Sequence, residues 1–340
     1  MNNRICLIAG TFPPGICGVG DYSQKILDNS NSSFWCSYVA NSWSLIYTFK
    51  IIYQIKQLRP KTIFLQYPSN GYGWSIVPFI LCFYFSIFSR IRFISVLHEF
   101  SSISNKGKFF IINFLTFSNH IIFTTDFERL LLGRVRPFIL SKSSVIPIFS
   151  NITQPDLVND ICQRKIDLIY FGHIRPNKGL EDFLFVSKIL CKYNLNVVIA
   201  GQVPNGYESF YQSIKSNLEE CNINCRINLT EIEVSSLLND SKISFLPYPD
   251  GISERRGSFL AAILCGCIVV SYRGPFTSPS LSGSFIEANL DNAPAIILHL
   301  LQSSLDELKI VQESLRSNFY KGNFSSWKSI VNAYESLCSD

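Results

Sequence analysis

The sequence predicts an α/β protein with two tandem Rossmann-like, doubly wound domains, and three observations lead to this prediction. Short runs rich in Ile, Val and Phe alternate with longer segments of helical spacing, which is typical of βαβ units and parallel sheets. The alternation stops at a polar stretch, residues 151–165, which carries Pro155, and then restarts. The chain has 340 residues, enough for two domains of ordinary size.

The first half is predicted to alternate five strands with five helices. Its apolar runs are four to six residues long, the length of a strand. The predicted strands are Arg4–Ala9, Thr62–Gln66, Arg92–Leu97, His120–Thr124 and Ser144–Pro147. The predicted helices between them are Asp21–Leu27, Ser44–Leu58, Ser75–Ser89, Lys106–Phe117 and Asp126–Leu132.

The second half repeats the pattern from residue 166. The predicted strands are Ile166–Phe171, Asn196–Ala200, Cys225–Asn228, Ile243–Leu246 and Cys267–Ser271. The predicted helices are Lys178–Lys192, Tyr207–Glu220, Glu231–Leu238 and Arg256–Cys265. We place one domain at residues 1–150 and a second at 151–322, with a ligand expected in the crevice at the carboxyl ends of both sheets.

Composition excludes several classes of protein. Hydrophobic residues make up 47% and charged residues 16% of the chain, which excludes global disorder. A net charge of +5 lacks the dense basic stripe of nucleic-acid-binding proteins, so we expect no nucleic-acid partner. The apolar stretch Trp74–Phe88 is shorter than the roughly 20 residues of a spanning helix. Eleven scattered cysteines without a CxxC pair suggest reduced thiols in the cytosol and no zinc site.

A glycine-rich segment follows the first predicted strand and opens the first helix. Gly15, Gly18 and Gly20 would let the backbone approach an anion, and the helix N-terminus supplies N–H donors. The spacing matches neither the dinucleotide fingerprint nor the NTPase phosphate loop. A turn that merely requires glycine is the alternative.

Two further segments in the second half could bind an anion. Arg175 and Lys178 lie near a helix start, where the helix dipole disfavours cations unless an anion is bound; a solvated basic turn is the alternative. Arg256, Gly257 and Ser258 gather at the start of another predicted helix and could form a third anion site.

A histidine marks the predicted crevice in the first half. His98, followed by Glu99, stands at the carboxyl end of the strand Arg92–Leu97. Ligand-binding side chains collect at such strand ends, and His is the commonest general acid or base. His98 is therefore a candidate catalytic residue, with a purely structural histidine as the alternative.

In this order, the segments resemble the GT-B glycosyltransferases, specifically family 4 (glycosyltransferase group 1) of the retaining nucleotide-sugar-dependent enzymes, in a form associated with bacterial polysaccharides. The resemblance covers nearly the full length. It rests on the order and spacing of residues 12–22, 98–99, 146–147, 171–179 and 247–266.

The resemblance implies transfer of a sugar from a nucleoside-diphosphate donor to an acceptor hydroxyl, with retention at the anomeric carbon. Gly18 and Gly20 would lie against the donor phosphates or sugar, and Arg175 and Lys178 would hold the diphosphate as it leaves. His98 would contact the sugar near its reactive carbon. No DxD-type motif stands where a metal would be needed, so we expect no metal and no other cofactor.

The resemblance also implies a helix over Phe324–Leu337, within residues 323–340, that crosses back onto the first domain. The acceptor would be a lipid-linked oligosaccharide of a bacterial surface polysaccharide such as O-antigen or capsule. One departure concerns two Glu that family members carry eight positions apart. Those positions are Ser253, beside Glu254, and Ala261, so the Glu that would contact the ribose is missing and Glu254 is the remaining acidic candidate. Arg256 and the Gly257–Ser258 backbone would take over part of the phosphate binding.

Alternative functions include three for proteins of the same fold and one for a protein of a different fold. A non-catalytic nucleotide-sugar-binding protein fits the missing Glu, and a GT-B sugar-nucleotide epimerase would release free sugar without an acceptor. A GT-B phosphorylase would be a much longer chain. A dinucleotide oxidoreductase would need the glycine fingerprint that both halves lack.

The charge divides unevenly between the halves. Residues 1–150 contain 14 Lys/Arg and 5 Asp/Glu, a net charge of +9, whereas residues 151–340 contain 16 and 20, a net charge of −4. The basic half also carries the aromatic stretch Trp74–Phe88, followed by Arg90 and Arg92. Cations beside exposed aromatics suit an anionic membrane surface, here the inner face of the cytoplasmic membrane; a buried helix with solvated Arg is the alternative.

Overall fold

The computed structural model describes residues 4–15, 17–98, 105–322 and 326–338. The chain forms two compact units: unit 1 comprises residues 1–149 and 324–340, and unit 2 comprises residues 150–323. Each unit contains a six-stranded sheet in which all neighbouring strands run parallel. The predicted α/β class with two doubly wound sheets is confirmed.

Unit 1 has the strand order β2-β1-β3-β4-β5-β6. Its strands in the described residues are β1 (Ile5–Ile8), β2 (Trp35–Tyr38), β3 (Thr62–Tyr67), β4 (Arg92–Leu97), β5 (His120–Phe123) and β6 (Ser143–Val145). Its helices there are α1 (Gly18–Asp28), α2 (Thr48–Gln57), α3 (Val77–Phe88), α4 (Asn105–Leu115), α5 (Asp126–Val135), α6 (Phe138–Ser141) and, from the end of the chain, α13 (Trp327–Ser336).

Unit 2 has the strand order β12-β11-β10-β7-β8-β9. Its strands in the described residues are β7 (Ile166–His173), β8 (Val197–Gln202), β9 (Asn224–Ile227), β10 (Ser241–Leu246), β11 (Ile268–Tyr272) and β12 (Ile286–Ala288). Its helices there are α7 (Leu180–Leu190), α8 (Glu208–Glu220), α9 (Glu231–Asn239), α10 (Gly257–Leu264), α11 (Ala293–Gln302) and α12 (Leu305–Gly322).

The central strands are buried on both faces, which explains why they read as continuous apolar runs. In β1 all four residues are buried, and in β3 the first five are. Amphipathic helices cover the sheets: α2, for example, buries Ile51, Ile52 and Ile55 on one side. This burial holds the strand ends, where the candidate residues lie, in fixed positions.

The last helix, α13, packs within unit 1. Its Tyr334 is fully buried, with its ring 4.9 Å from that of Phe64 and 6.5 Å from that of Trp35. The Trp35 indole N–H donates to the Glu335 carboxylate at 2.8 Å. The chain therefore leaves unit 1 after β6, forms unit 2, and returns.

The apolar stretch Trp74–Phe88 forms the helix α3 from Val77 onward. The helix buries Val77, Leu81 and Phe85 and leaves Phe88 exposed. No helix in the described ranges is both long enough and apolar enough to cross a bilayer.

Candidate functional site

In unit 2 the winding of the sheet reverses between β7 and β10, which are hydrogen-bonded neighbours. In open α/β sheets, ligands bind at this switch point, outside the carboxyl ends of the strands. The loop after β7 carries Arg175 and Lys178, and the loop after β10 carries Arg256. The structure therefore brings two of the sequence-predicted segments to one edge of one sheet.

The two loops touch through their backbones. Gly179, which precedes α7, has a φ of +83°, and a Cβ added there would lie 2.0 Å from the carbonyl oxygen of Pro247. Only glycine fits such a position. The buried Tyr170 phenol donates to the Lys178 carbonyl at 3.1 Å. The side chain of Tyr170 in β7 therefore fixes the backbone of the loop that carries Arg175 and Lys178.

The Arg256 guanidinium is held on two sides. It pairs with the Asp250 carboxylate and lies over the Tyr248 ring at 4.8 Å from the ring centroid. The Tyr248 hydroxyl shares a 2.6 Å hydrogen bond with that of Ser258. Arg256 Nε is buried and has no hydrogen-bond partner among the described residues. A fixed guanidinium with donor capacity to spare is suited to binding an anion.

Glu254 contributes acceptor capacity to the same loop. Its buried carboxylate accepts a 2.5 Å hydrogen bond from the Ser280 hydroxyl through Oε1. Its Oε2, like the buried Oγ of Ser253, has no partner in the described part of the chain. Because unpaired buried polar atoms cost free energy, hydroxyl groups of a ligand would be favourable partners. Ala261, by contrast, is buried in α10, so this position offers nothing to a ligand.

The charge of the two loops is positive overall. Residues 174–179 and 247–256 together contain four Arg/Lys and two Asp/Glu. Burial, and to a smaller extent the positive charges of Lys178 and Arg175, lower the pKa of His173, at the end of β7, to about 4. His173 is therefore neutral at pH 7 and adds no charge to that of the two loops.

Unit 1 has its own switch point, between β1 and β3. There too, two loops touch: a Cβ on Gly71 would lie 1.8 Å from the carbonyl oxygen of Gly10. The helix predicted to begin at Asp21 begins at Gly18 instead, so Gly18 and Gly20 lie in the first turn of α1. Both glycines therefore lie on the helix and not, as predicted, in the loop before it.

The two glycines have different surroundings. A Cβ on Gly20 would lie 2.7 Å from the Thr11 carbonyl oxygen, whereas a Cβ on Gly18 would lie within 4 Å of no described heavy atom outside its own turn of helix. Gly18 is also exposed and Gly20 buried. Close packing of α1 on the preceding loop accounts for Gly20, and Gly18 is the one of the two that is open to a ligand.

His98 is buried at the end of β4, with 6% of its surface exposed. Its Nε2 shares a 2.6 Å hydrogen bond with Gln66 Oε1, and its ring meets that of Tyr22 edge-on at 5.2 Å. The Tyr22 hydroxyl bonds in turn to that of Tyr334 on α13 at 3.2 Å. Burial lowers the pKa of His98 to about 3. His98 is thus a neutral, oriented imidazole, and Glu99 lies outside the described residues.

In the described ranges, no three His, Cys, Asp or Glu side chains are grouped so that they could hold a metal ion. All eleven cysteines are free thiols. The cationic loops of unit 2 could compensate the charge of a diphosphate.

Comparison with known proteins rests on structure alone, because no family model and no curated protein sequence matches the chain. HepE of Anabaena, solved with UDP and glucose, superposes with a TM-score of 0.71 at 12% identity, covering 99% of both chains. A glycosyltransferase of Rickettsia africae gives a TM-score of 0.68 at 12% identity, over 99% of this chain and 98% of that one. The chain has the GT-B fold.

A third GT-B match is an α-glucosyltransferase solved with UDP, with a TM-score of 0.65 at 12% identity over 99% of this chain and all of that one. At these identities the likeness concerns the fold.

Within this GT-B chain, sequence reasoning missed four residues: Gln66 and Tyr334 beside His98 in unit 1, and Asp250 and Tyr248 beside Arg256 in unit 2. Gln66 is a polar residue near the end of an otherwise apolar strand, and that contrast could have drawn attention to it. Asp250 and Tyr248 stand in the predicted third segment, but only the folded loop shows that they hold Arg256. The family resemblance implied that the helix containing Tyr334 returns to the first domain, but pattern and spacing did not relate Tyr334 to a particular strand more than 260 residues earlier.

Proposed function

We propose that the protein is a glycosyltransferase that transfers a sugar from a nucleoside-diphosphate sugar to an acceptor hydroxyl. One observation supports this most: the loops that carry Arg175, Lys178 and Arg256 meet at the switch point of unit 2. A nucleoside diphosphate gains negative charge when it leaves the sugar, and fixed cations stabilise that charge as it develops. The fold of chains solved with UDP and with UDP and glucose supports the same choice.

The proposed roles in unit 2 follow from the geometry. Arg175 and Lys178 bind the diphosphate, and Arg256, held by Asp250 and Tyr248, adds a directed guanidinium. Glu254 Oε2 and Ser253 Oγ, which have hydrogen-bonding capacity to spare, accept from and donate to donor hydroxyls. The Gly257–Ser258 backbone at the start of α10 contributes N–H groups.

In unit 1 we propose that His98 orients the sugar and does not act as an acid. A group with a pKa of about 3 carries almost no proton at pH 7, so it cannot supply one to a leaving group. Gly18 is proposed to approach the donor, because among the described residues no atom outside its own turn of helix lies within 4 Å of where its Cβ would be.

The finer features are proposals that rest on the family resemblance. They are membership of family 4, hexosyl transfer with retention, and catalysis without a metal, in which Arg175 and Lys178 supply the electrophilic assistance. The proposed acceptor is a lipid-linked oligosaccharide of O-antigen or capsule. The proposed location is the cytoplasm, at the inner face of the cytoplasmic membrane.

The test is a screen of UDP-, GDP- and TDP-sugars by mass spectrometry, with and without EDTA. We expect one donor to be consumed, with release of its nucleoside diphosphate and no effect of EDTA. Tight binding of a nucleotide sugar without any turnover would contradict the proposal and favour the second candidate, a non-catalytic binding protein, which the buried Ala261 favours. Release of a free sugar epimer would favour the epimerase.

A further inference from the structure

The middle of unit 1 is almost without negative charge. Residues 29–98 contain no Asp or Glu, and between Asp28 and Asp126 the single acidic residue is Glu99. Six cations lie in the acid-free stretch: Lys50, Lys56, Arg59, Lys61, Arg90 and Arg92. This stretch includes α2 and α3, so both helices lie in a strongly basic part of the chain.

The outer side of α2 and of the turn before it is apolar and exposed. Phe49 is 87% exposed, and Ile46, in the 3₁₀ turn Leu45–Tyr47, is 78% exposed. Tyr53, one helical turn after Phe49, is also exposed. The opposite side of α2 already supplies its contribution to the core through Ile51, Ile52 and Ile55. Packing within unit 1 therefore does not account for the outer side chains.

The exposed side continues onto α3. Lys56 Nζ donates to the Tyr84 hydroxyl at 2.8 Å and lies 5.2 Å from the centre of that ring. The Tyr84 ring is 6.1 Å from that of Phe88, and Phe88 and Ile87 are both exposed at the end of α3. We call this surface the α2–α3 face; it consists of Leu45, Ile46, Phe49, Tyr53, Lys56, Tyr84, Ile87 and Phe88.

A cavity lined by both polar and apolar residues opens beside the α2–α3 face. It measures about 290 Å³ and is lined by residues that include Tyr38, Ser42, Tyr47, Lys50 and Gln54. The cavity thus combines one cation with hydroxyl and amide groups, a set suited to an anionic headgroup.

We propose that unit 1 docks on an anionic lipid bilayer through the α2–α3 face. Aromatic and aliphatic side chains enter the interface between headgroups and acyl chains, and the surrounding cations bind anionic headgroups. Neither the apolar side chains nor the cations suffice alone for stable binding. A few exposed apolar side chains insert weakly into the bilayer, and cations give only salt-sensitive attraction to it. The inference deepens the proposed function, since a lipid-linked acceptor lies in such a bilayer.

The chemistry of the face favours lipid over other partners. Nucleic acids are bound by cations and polar donors, which leaves Ile46, Phe49 and Phe88 without partners. A second copy of the same face would bring like charges together. A bilayer of anionic lipid satisfies both the cations and the apolar side chains.

The test measures binding of the full chain to vesicles by co-sedimentation. We expect binding to phosphatidylcholine vesicles with about 30% phosphatidylglycerol, and at least about 10-fold weaker binding to pure phosphatidylcholine or at about 0.5 M salt. The variant Phe49→Ser/Tyr53→Ser should weaken binding to the anionic vesicles at least about 10-fold. The variant Lys50→Gln/Lys56→Gln should weaken it less, and should reduce its salt dependence.

The matched control is Phe185→Ser/Ile189→Ser, which removes two exposed apolar side chains one turn apart on α7 in unit 2. It should bind vesicles like the unaltered chain, and thermal unfolding midpoints should be similar for all variants. Absence of binding to anionic vesicles, or an equal loss in the control, would overturn the proposal. Binding to duplex DNA without vesicle binding, or a dimer that Phe49→Ser/Tyr53→Ser disperses, would overturn it too.

The two proposals fail separately. Vesicle binding needs no donor, and turnover of a nucleotide sugar needs no vesicle. Turnover without vesicle binding would refute docking and leave the glycosyltransferase in place, whereas vesicle binding without turnover would do the reverse.

Discussion

The two sheets of this protein have the same construction but use their strand ends differently. In both, the loops on the two sides of the switch point touch through a glycine, Gly71 in unit 1 and Gly179 in unit 2. In both, a histidine with a lowered pKa ends a central strand, His98 or His173. Only in unit 2 do cations contribute to that lowering.

This difference separates two kinds of site. The strand ends of unit 1 carry a neutral, buried cluster in which His98 shares a hydrogen bond with Gln66 and Tyr22 shares one with Tyr334, while Gln66 Nε2 has no partner among the described residues. Such a cluster can orient a neutral group. The strand ends of unit 2 carry an excess of positive charge, which a bound anion would compensate. Two cations of unit 1, Lys56 on the α2–α3 face and Lys50 in the cavity beside it, lie instead on α2.

The largest expected effect comes from removing the cations of unit 2. Arg175→Ala and Lys178→Ala should each lower turnover about 100-fold or more, because a fixed charge that stabilises the departing diphosphate is lost. The measurement is steady-state release of nucleoside diphosphate. Lys215→Ala, on the exposed side of α8 in the same unit, is the control and should be active. Activity like that of the unaltered chain in either test variant would refute the diphosphate assignment.

The next effect distinguishes the two glycines of α1. Gly20→Ala should lower the free energy of unfolding by about 1–3 kcal/mol, because its Cβ would press on the Thr11 carbonyl oxygen. Gly18→Ala should leave it unchanged or raise it slightly, since Ala favours a helix, while weakening donor binding. Urea unfolding followed by Trp fluorescence tests this in unit 1, which contains all four Trp residues. Equal destabilisation by both would contradict the assignment.

A third effect is the dependence of unit 1 on pH. The pKa of His98 is about 3 in the folded chain against about 6.5 when unfolded, so the unfolded state binds the extra proton. The free energy of unfolding therefore has its full value with respect to His98 above about pH 7. It falls as the pH is lowered, by about 2 kcal/mol between pH 8 and pH 5. The same fluorescence assay measures it. In His98→Gln this part of the pH dependence should vanish, and its persistence would show that another group causes it.

The smallest effect tests the two histidines directly. Lys178→Ala should raise the pKa of His173, because one of the charges that lowers it is removed, and should leave that of His98 unchanged. Added inorganic pyrophosphate should act in the same direction on the unaltered chain. NMR titration of the imidazole protons resolves both groups. A rise in the pKa of His98 instead would place the anion in unit 1.

The sequence was a good guide to elements with strong apolar patterns. β4 spans the predicted Arg92–Leu97, and most other predicted strands and helices differ from the observed ones by one to three residues. It missed β2 and β12, short edge strands with mixed burial, because such strands lack a continuous apolar run. It also missed α11 and α12. Both helices follow the last predicted strand, so no predicted βαβ unit contains them.

The sequence located the motifs, but it did not identify the residues that contact them in the folded chain. Arg175, Lys178 and Arg256 are visible in the sequence, because each lies in a loop between a strand and a helix. That Asp250 fixes Arg256, that Gly20 is required by packing and that Phe49 is exposed are all results of folding. These properties depend on contacts that pattern and spacing do not specify.

The sequence alone therefore determined the fold class, the strand-loop-helix position of the candidate anion-binding residues and the uneven charge of the two halves. These follow from local periodicity and composition, which every segment carries by itself. Only the tertiary structure decided which loops meet at a switch point, which histidine is buried and neutral, and which aromatic side chains stay outside the core. Those outcomes depend on strand order and burial, because both are set by contacts between residues far apart in the chain.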